Sequence, residues 1–165
     1  MAIRIFIDQG HNPSGPNTGA EGNGLNEQDI TYTVGLYLAE LLCADPRFEV
    51  RLSRTSPDEI LGTSNATSLA ARVQAANDWP ADYFISIHCN ANENPAVNGT
   101  EVYVYRENTQ AYWLAQHVLN GIVQRTGTRN NELAYLTNAQ DALRLETDPF
   151  GFAQGIMNGI LAYFA

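Results

Sequence analysis

Positive charge is scarce in this chain. Nine arginines and no lysine face eighteen aspartates and glutamates, a net charge of −9 and a pI near 4.6. No basic cluster offsets that balance, so nucleic acid is not an expected partner, because phosphate binding draws on basic patches. A bare acidic membrane is excluded on the same ground. Cysteine is nearly absent as well, with Cys43 and Cys89 the only two. That is too few for a disulfide framework or a cysteine-rich metal knuckle. Both thiols are expected to be free and buried, Cys43 on an apolar helical face beside Leu41 and Leu42. No apolar run is long enough for a membrane span. The first residues read as a strand rather than as a charged leader with an apolar core, so no signal peptide is read in the chain as given. Repeats, low-complexity tracts and linkers are missing too, and residues 1–165 are expected to form one domain.

What is present is the composition of a folded protein, 44% hydrophobic and 16% charged. Residues 3–7 are short and β-branched and read as a buried strand stopped by Gly10. Residues 12–26 are rich in Gly, Asn, Pro and Ser and read as a loop. From Glu27 a helix is expected, with Ile30, Val34, Tyr37, Leu38, Leu41 and Leu42 on one face. Asn26 is its N-cap and Asp45-Pro46 its stop. Residues 48–52 alternate as a second strand, and a helix from about Ser68 is expected to turn Leu69, Val73 and Ala76 inward. Residues 82–87 give a third strand, 101–105 a fourth and 110–126 a helix. The stretch 139–164 reads as helical with a break at Asp148-Pro149. Trp79, Trp113, Tyr103 and Tyr105 fall at strand and helix periods and are expected mostly in the core. Strands alternating with helices predict an α/β fold, a three-layer α/β/α sandwich whose mostly parallel, twisted sheet is flanked by helices.

In such a sheet the C-terminal ends of the strands gather on one edge, where ligand sites collect. His11 follows the first strand, His88 ends the third, and Glu27 opens the helix after the first loop. All three can meet there. Two imidazoles and one carboxylate leave a fourth tetrahedral position open, the donor set of a hydrolytic zinc rather than a structural one. Asp8 either orients His11 from behind or simply makes a hydrogen bond at the strand end. Asn90 follows His88 closely enough to line the site, and Arg72 either holds a substrate or braces the sheet. His117 sits in a helix and is expected at its surface or in packing. Ser86 has no Gly-x-Ser-x-Gly elbow around it and is discounted as a nucleophile.

An ordered series of phrases runs through Ile7-Asp8-Gln9-Gly10-His11, Gly19-Ala20-Glu21-Gly22, Asn26-Glu27, Leu52-Ser53-Arg54-Thr55, Leu69-Ala70-Ala71-Arg72-Val73 with Ala76-Asn77, residues 82–91, and Gly99-Thr100-Glu101-Val102-Tyr103. That series resembles the catalytic domain of the zinc-dependent N-acetylmuramoyl-L-alanine amidases of the amidase-3 family. The resemblance implies one Zn2+ per chain held by His11, Glu27 and His88. It implies hydrolysis of peptidoglycan between N-acetylmuramic acid and L-alanine, at the bacterial cell wall, by a secreted, periplasmic or phage-released enzyme. The family's late catalytic glutamate lies in a phrase similar to Glu132-Leu133-Ala134-Tyr135-Leu136-Thr137-Asn138, which implies Glu132 as its counterpart. The family places an apolar strand before that glutamate, whereas Arg129-Asn130-Asn131 here runs straight into it. The chain is therefore expected to be short by one or two strands between Asn131 and Glu132, roughly twenty to thirty residues. Two other readings stand beside this one. The first is a zinc-bearing wall-binding module without turnover. The second is a zinc peptidase of the carboxypeptidase type, with Arg54 or Arg72 to hold a terminal carboxylate. An acidic chain gains no long-range attraction to an anionic wall, so a separate wall-binding module or an activator is a further expected partner.

Overall fold

The computed structural model describes residues 1–94, 96–130 and 139–165. Its elements in chain order are β1 (Ile3–Gln9), β2 (Glu21–Gly22), β3 (Leu25–Asn26), α1 (Glu27–Cys43) and β4 (Phe48–Leu52). They continue with α2 (Asn65–Asp78), β5 (Tyr83–Ile87), α3 (Gln110–Thr126), α4 (Ala139–Thr147) and α5 (Pro149–Tyr163). They form two compact units, Met1–Ala20 with Asn26–His88, and Glu21–Leu25 with Cys89–Ala165.

The first unit is built on a parallel sheet of order β4-β1-β5. β1 takes the centre because it is apolar on both faces, with Ile5 and Ile7 fully buried and Phe6 nearly so. Its register sets Gln9 opposite Ile87, so the residues just beyond β1 and β5 emerge side by side. Successive strand residues point to opposite faces. On the Gln9 side lies α1, burying Thr31, Val34, Leu38 and Leu42, with the Thr31 hydroxyl donating to the Gly10 carbonyl at 2.7 Å. On the Asp8 side lies α2, through Arg72. The helix-flanked parallel sheet expected from the sequence is what forms.

Three local expectations fail in this unit. α2 begins at Asn65, because Ser64 and Thr67 close a capping box: the Ser64 hydroxyl accepts from the Thr67 N–H at 3.2 Å, and Thr67 Oγ1 from the Ser64 N–H at 2.8 Å. Its buried face is Ser68, Arg72 and Ala76, while Leu69 and Val73 stand about half exposed. A polar network, rather than an apolar stripe, sets the rotation of this helix. Cys43 is exposed, since one step past Leu42 turns the side chain about 100° away from the core.

Within the stretch read as a loop, β2 and β3 pair around Asn23-Gly24. Both turn residues have positive φ, 52° and 79°, the geometry that Asn-Gly adopts in tight hairpins.

In the second unit α3 packs along α5. Leu114, Val118, Leu119 and Ile122 of α3 are buried, as are Phe152, Ala153, Ile156, Met157 and Ile160 of α5. The break before α5 is where it was expected, with Asp148 accepting from the Gly151 N–H at 2.8 Å and Pro149 at the first helical position. Cys89 is buried. Residues 101–105 form no strand, since β-propensity is a weak preference that the surrounding fold overrides. Tyr103, Tyr105 and Trp113 face solvent rather than a core. Among the described residues no helix is long and apolar enough to cross a membrane.

Candidate metal centre

His11, Glu27 and His88 converge in the first unit. His11 Nε2 lies 3.1 Å from Glu27 Oε1, His88 Nδ1 lies 3.2 Å from the same oxygen, and the two ring nitrogens are 3.1 Å apart. The three donor atoms form a nearly equilateral triangle. Ligands at ~2.0–2.1 Å from a tetrahedral zinc stand ~3.4 Å from one another, so this triangle matches one face of such a site to within a few tenths of an ångström. A carboxylate and two imidazole nitrogens directed at one point, each a metal donor in its unprotonated form, fit a divalent cation there.

Each group reaches the point for a local reason. Glu27 is the first residue of α1, where a carboxylate suits the positive end of the helix dipole. Its other oxygen, Oε2, accepts the Ala20 N–H at 2.9 Å, and its own N–H donates to the Ala20 carbonyl at 2.9 Å. His88 is carried by the end of β5. His11 has φ of +70°, a left-handed conformation that costs a non-glycine residue about 1–3 kcal/mol. Arg72 holds that backbone in place, donating from Nη2 to the His11 carbonyl at 2.6 Å. On the ring side, Nδ1 of His11 lies 3.3 Å from the Asn17 carbonyl oxygen and 3.2 Å from Asn17 Oδ1.

Two glycines let backbone press against this group. A Cβ on Gly10 would sit 2.6 Å from His88 Cε1 and 2.5 Å from the Ile87 carbonyl oxygen, and one on Gly19 would sit 2.6 Å from Glu27 Cβ. The sequence reading took Gly10 for a strand stop and Gly19 for part of a loop, and it missed Asn17. A glycine directly before a candidate ligand was the available signal for close approach.

Burial of the His11 ring opposes its positive charge. The hydrogen bond and charge of Glu27, with the two Asn17 acceptors, outweigh that, and the imidazole titrates above its ordinary value of 6.5. In the metal-free protein, protonated His11 therefore stabilises the fold. That contribution is fully present below pH 6.5 and is lost as pH rises through the raised value. A metal needs the neutral ring and so competes with that proton. Apparent zinc affinity, measured against a buffered chelator, is expected to fall about tenfold per pH unit as pH drops below the raised His11 value. A flat affinity across that range would contradict this assignment.

Behind the three groups lies a buried hub. Arg72, 1% exposed, donates from Nη1 to Asp8 Oδ1 and to the Gln9 carbonyl, both at 2.7 Å, and from Nη2 to Asn12 Oδ1 at 3.0 Å. Asp8 Oδ2 accepts from the Ser86 hydroxyl at 2.7 Å. Asp8 thus reaches His11 through Arg72 rather than through the ring. Asn90 belongs to the second unit, where its amide is paired with the Glu101 carboxylate. His117 lies on α3 and donates to the Trp113 carbonyl at 2.8 Å. Glu132 lies outside the described residues.

The amidase-3 family, described as N-acetylmuramoyl-L-alanine amidase, matches residues 5–133. The amidase CwlM of Bacillus licheniformis is 42% identical over 104 residues, 62% of this chain and 36% of that protein. The amidase LytC of Bacillus subtilis is 31% identical over 187 residues, 97% of this chain and 35% of that one. The chain thus spans about a third of the length of these curated relatives. The solved amidase AmiC2 of Nostoc punctiforme superposes with a TM-score of 0.82 at 30% identity, covering 98% of this chain and 97% of that one. The chain therefore belongs to the amidase-3 family of N-acetylmuramoyl-L-alanine amidases, whose members are generally zinc-dependent.

Proposed function

We propose that this chain is a zinc-dependent peptidoglycan hydrolase. Its bond is the amide between the lactyl group of N-acetylmuramic acid and the L-alanine of the stem peptide, and it works at the bacterial cell wall. The observation that carries the reading is the His11–Glu27–His88 triangle in a member of this family. His11 Nε2, Glu27 Oε1 and His88 Nδ1 would hold one zinc. When bound, zinc supplies Lewis acidity that polarises an amide carbonyl and brings the pKa of water to about 7. Glu27, 3% exposed, contributes the negative charge that retains the cation. His88 keeps 42% of its side chain exposed, which supports an approach for substrate on that side.

Glu132 is the proposed acid–base. It takes a proton from the attacking water as the new C–O bond forms, then returns it to the nitrogen as the C–N bond breaks. The products are a lactyl carboxylate on the glycan and a stem peptide with a free L-alanine amine. The carboxypeptidase-type alternative is weakened, because Arg54 and Arg72 are each 1% exposed and spend their guanidiniums on backbone carbonyls. The acidic charge leaves a wall-binding module or activator as a proposed partner.

The test compares the parent chain with Glu132→Gln on purified wall. The variant is expected to keep its zinc and lose at least ~100-fold in rate. Zinc retained together with full activity would remove Glu132 from the mechanism.

A further inference from the structure

The His11 ring is held from the side opposite the metal triangle, and one residue supplies both contacts. Asn17 has φ of +65°, a left-handed conformation that asparagine tolerates better than most residues. That conformation brings its carbonyl oxygen and its side-chain Oδ1 to the same ring nitrogen, at 3.3 and 3.2 Å. A carbonyl oxygen can only accept, so both Asn17 contacts are hydrogen bonds when Nδ1 carries the proton, the form of the neutral ring that leaves Nε2 free for a metal. The amide orientation agrees: Asn17 Nδ2 donates to the Ser68 hydroxyl at 3.0 Å, and Ser68 is fully buried on α2. With Nδ1 protonated, the neutral ring offers its lone pair at Nε2, the atom that faces Glu27 and His88. His88 differs, turning Nδ1 rather than Nε2 toward Glu27.

We infer that Asn17 is a positioning residue that fixes the tautomer and plane of His11 and so presents Nε2 as a ligand. The inference rests on the metal reading of the triangle. Groups that orient a ligating histidine in this way commonly change metal affinity by 10- to 100-fold. Ser68 and the left-handed turn anchor the amide, so His11 meets the cation already oriented.

Two variants test it. Asn17→Gly keeps the left-handed backbone and the carbonyl but deletes the amide. Asn17→Asp keeps the side-chain acceptor. Nitrogen-15 NMR of the histidine rings in the full chain, which has three histidines, reads the His11 tautomer directly in zinc-free protein at alkaline pH. Competition with a chelator reads zinc affinity. The parent is expected to show a larger share of the Nδ1–H form than Asn17→Gly, because Glu27 Oε1 accepts at Nε2 in both proteins and Asn17 Oδ1 accepts at Nδ1 only in the parent. Asn17→Gly is expected to show mixed tautomers and about tenfold weaker zinc binding at little cost in Tm, and Asn17→Asp to restore both. An unchanged tautomer and affinity in Asn17→Gly would overturn the inference. So would losses in both variants that merely track Tm. If the parent itself binds no zinc, the metal reading fails, and the tautomer comparison still decides the role of Asn17.

Discussion

Glu27→Ala is expected to leave a folded chain that retains no zinc and shows no measurable wall hydrolysis. Glu27 Oε1 is the one anionic corner of the triangle and touches both imidazoles. Without it, a doubly charged cation would be left to two neutral rings. Structural zinc sites bind with about 10–16 kcal/mol from four ligands, so losing the charged one of three protein ligands costs on the order of 3–5 kcal/mol, or 10²–10⁴-fold in affinity. Thermal unfolding gives a clean readout. Zinc at a hundredfold excess over its Kd stabilises a protein by about 2.7 kcal/mol, and the variant is expected to show no such gain. Glu27→Gln separates charge from shape, since its amide oxygen can still accept the Ala20 N–H that Oε2 accepts now. It too is expected to lose the zinc-dependent gain in Tm, and its metal-free Tm is expected to match the parent's only above the raised His11 value, where the His11–Glu27 charge pairing no longer contributes. Metal content by elemental analysis equal to that of the parent in either variant would remove Glu27 from the site.

Arg72→Met is expected to destabilise the chain by about 3–5 kcal/mol, the usual result of removing one partner from a buried ion pair. Its pair with Asp8 is 2.7 Å long, and the side chains are only 2% and 4% exposed. Methionine fills much of the volume but leaves the Asp8 carboxylate with the Ser86 hydroxyl alone. It also strips the carbonyls of Gln9 and His11 of their donor. The left-handed His11 then loses its backbone anchor, so zinc affinity is expected to fall along with stability. Adding Asp8→Asn to Arg72→Met removes the uncompensated charge and is expected to recover part of the loss, a non-additivity that neighbours in one network show. Denaturant unfolding measures both. A cost under about 1 kcal/mol for Arg72→Met would mean that the pair is not what holds this edge.

The same network explains where the sequence was readable and where it was not. The strands 3–9, 48–52 and 83–87 announce themselves through β-branched and alternating residues, and their parallel pairing follows from the helices between them. His11, Glu27 and His88 were legible as a group because a parallel sheet sends its strand ends to one edge. α2 misled because hydrophobic periodicity assumes an apolar buried face. Arg72 and Ser68 occupy that face, and Leu69 and Val73 are turned out. Tyr103 and Tyr105 misled for a related reason, since a β-prone pattern does not by itself fix a strand or a buried face. Gly10, Gly19 and Asn17 act through contacts fixed only by the fold: two missing Cβ atoms and one left-handed turn. The Asn23-Gly24 hairpin was readable and was passed over inside a run of loop residues.

The most direct measurement is digestion of purified peptidoglycan by the zinc-loaded chain, with products identified by mass spectrometry and a parallel reaction under chelation. The account predicts free stem peptides beginning at L-alanine, lost with the chelator and regained on adding zinc. Intact wall after incubation with protein carrying one zinc per chain would contradict it.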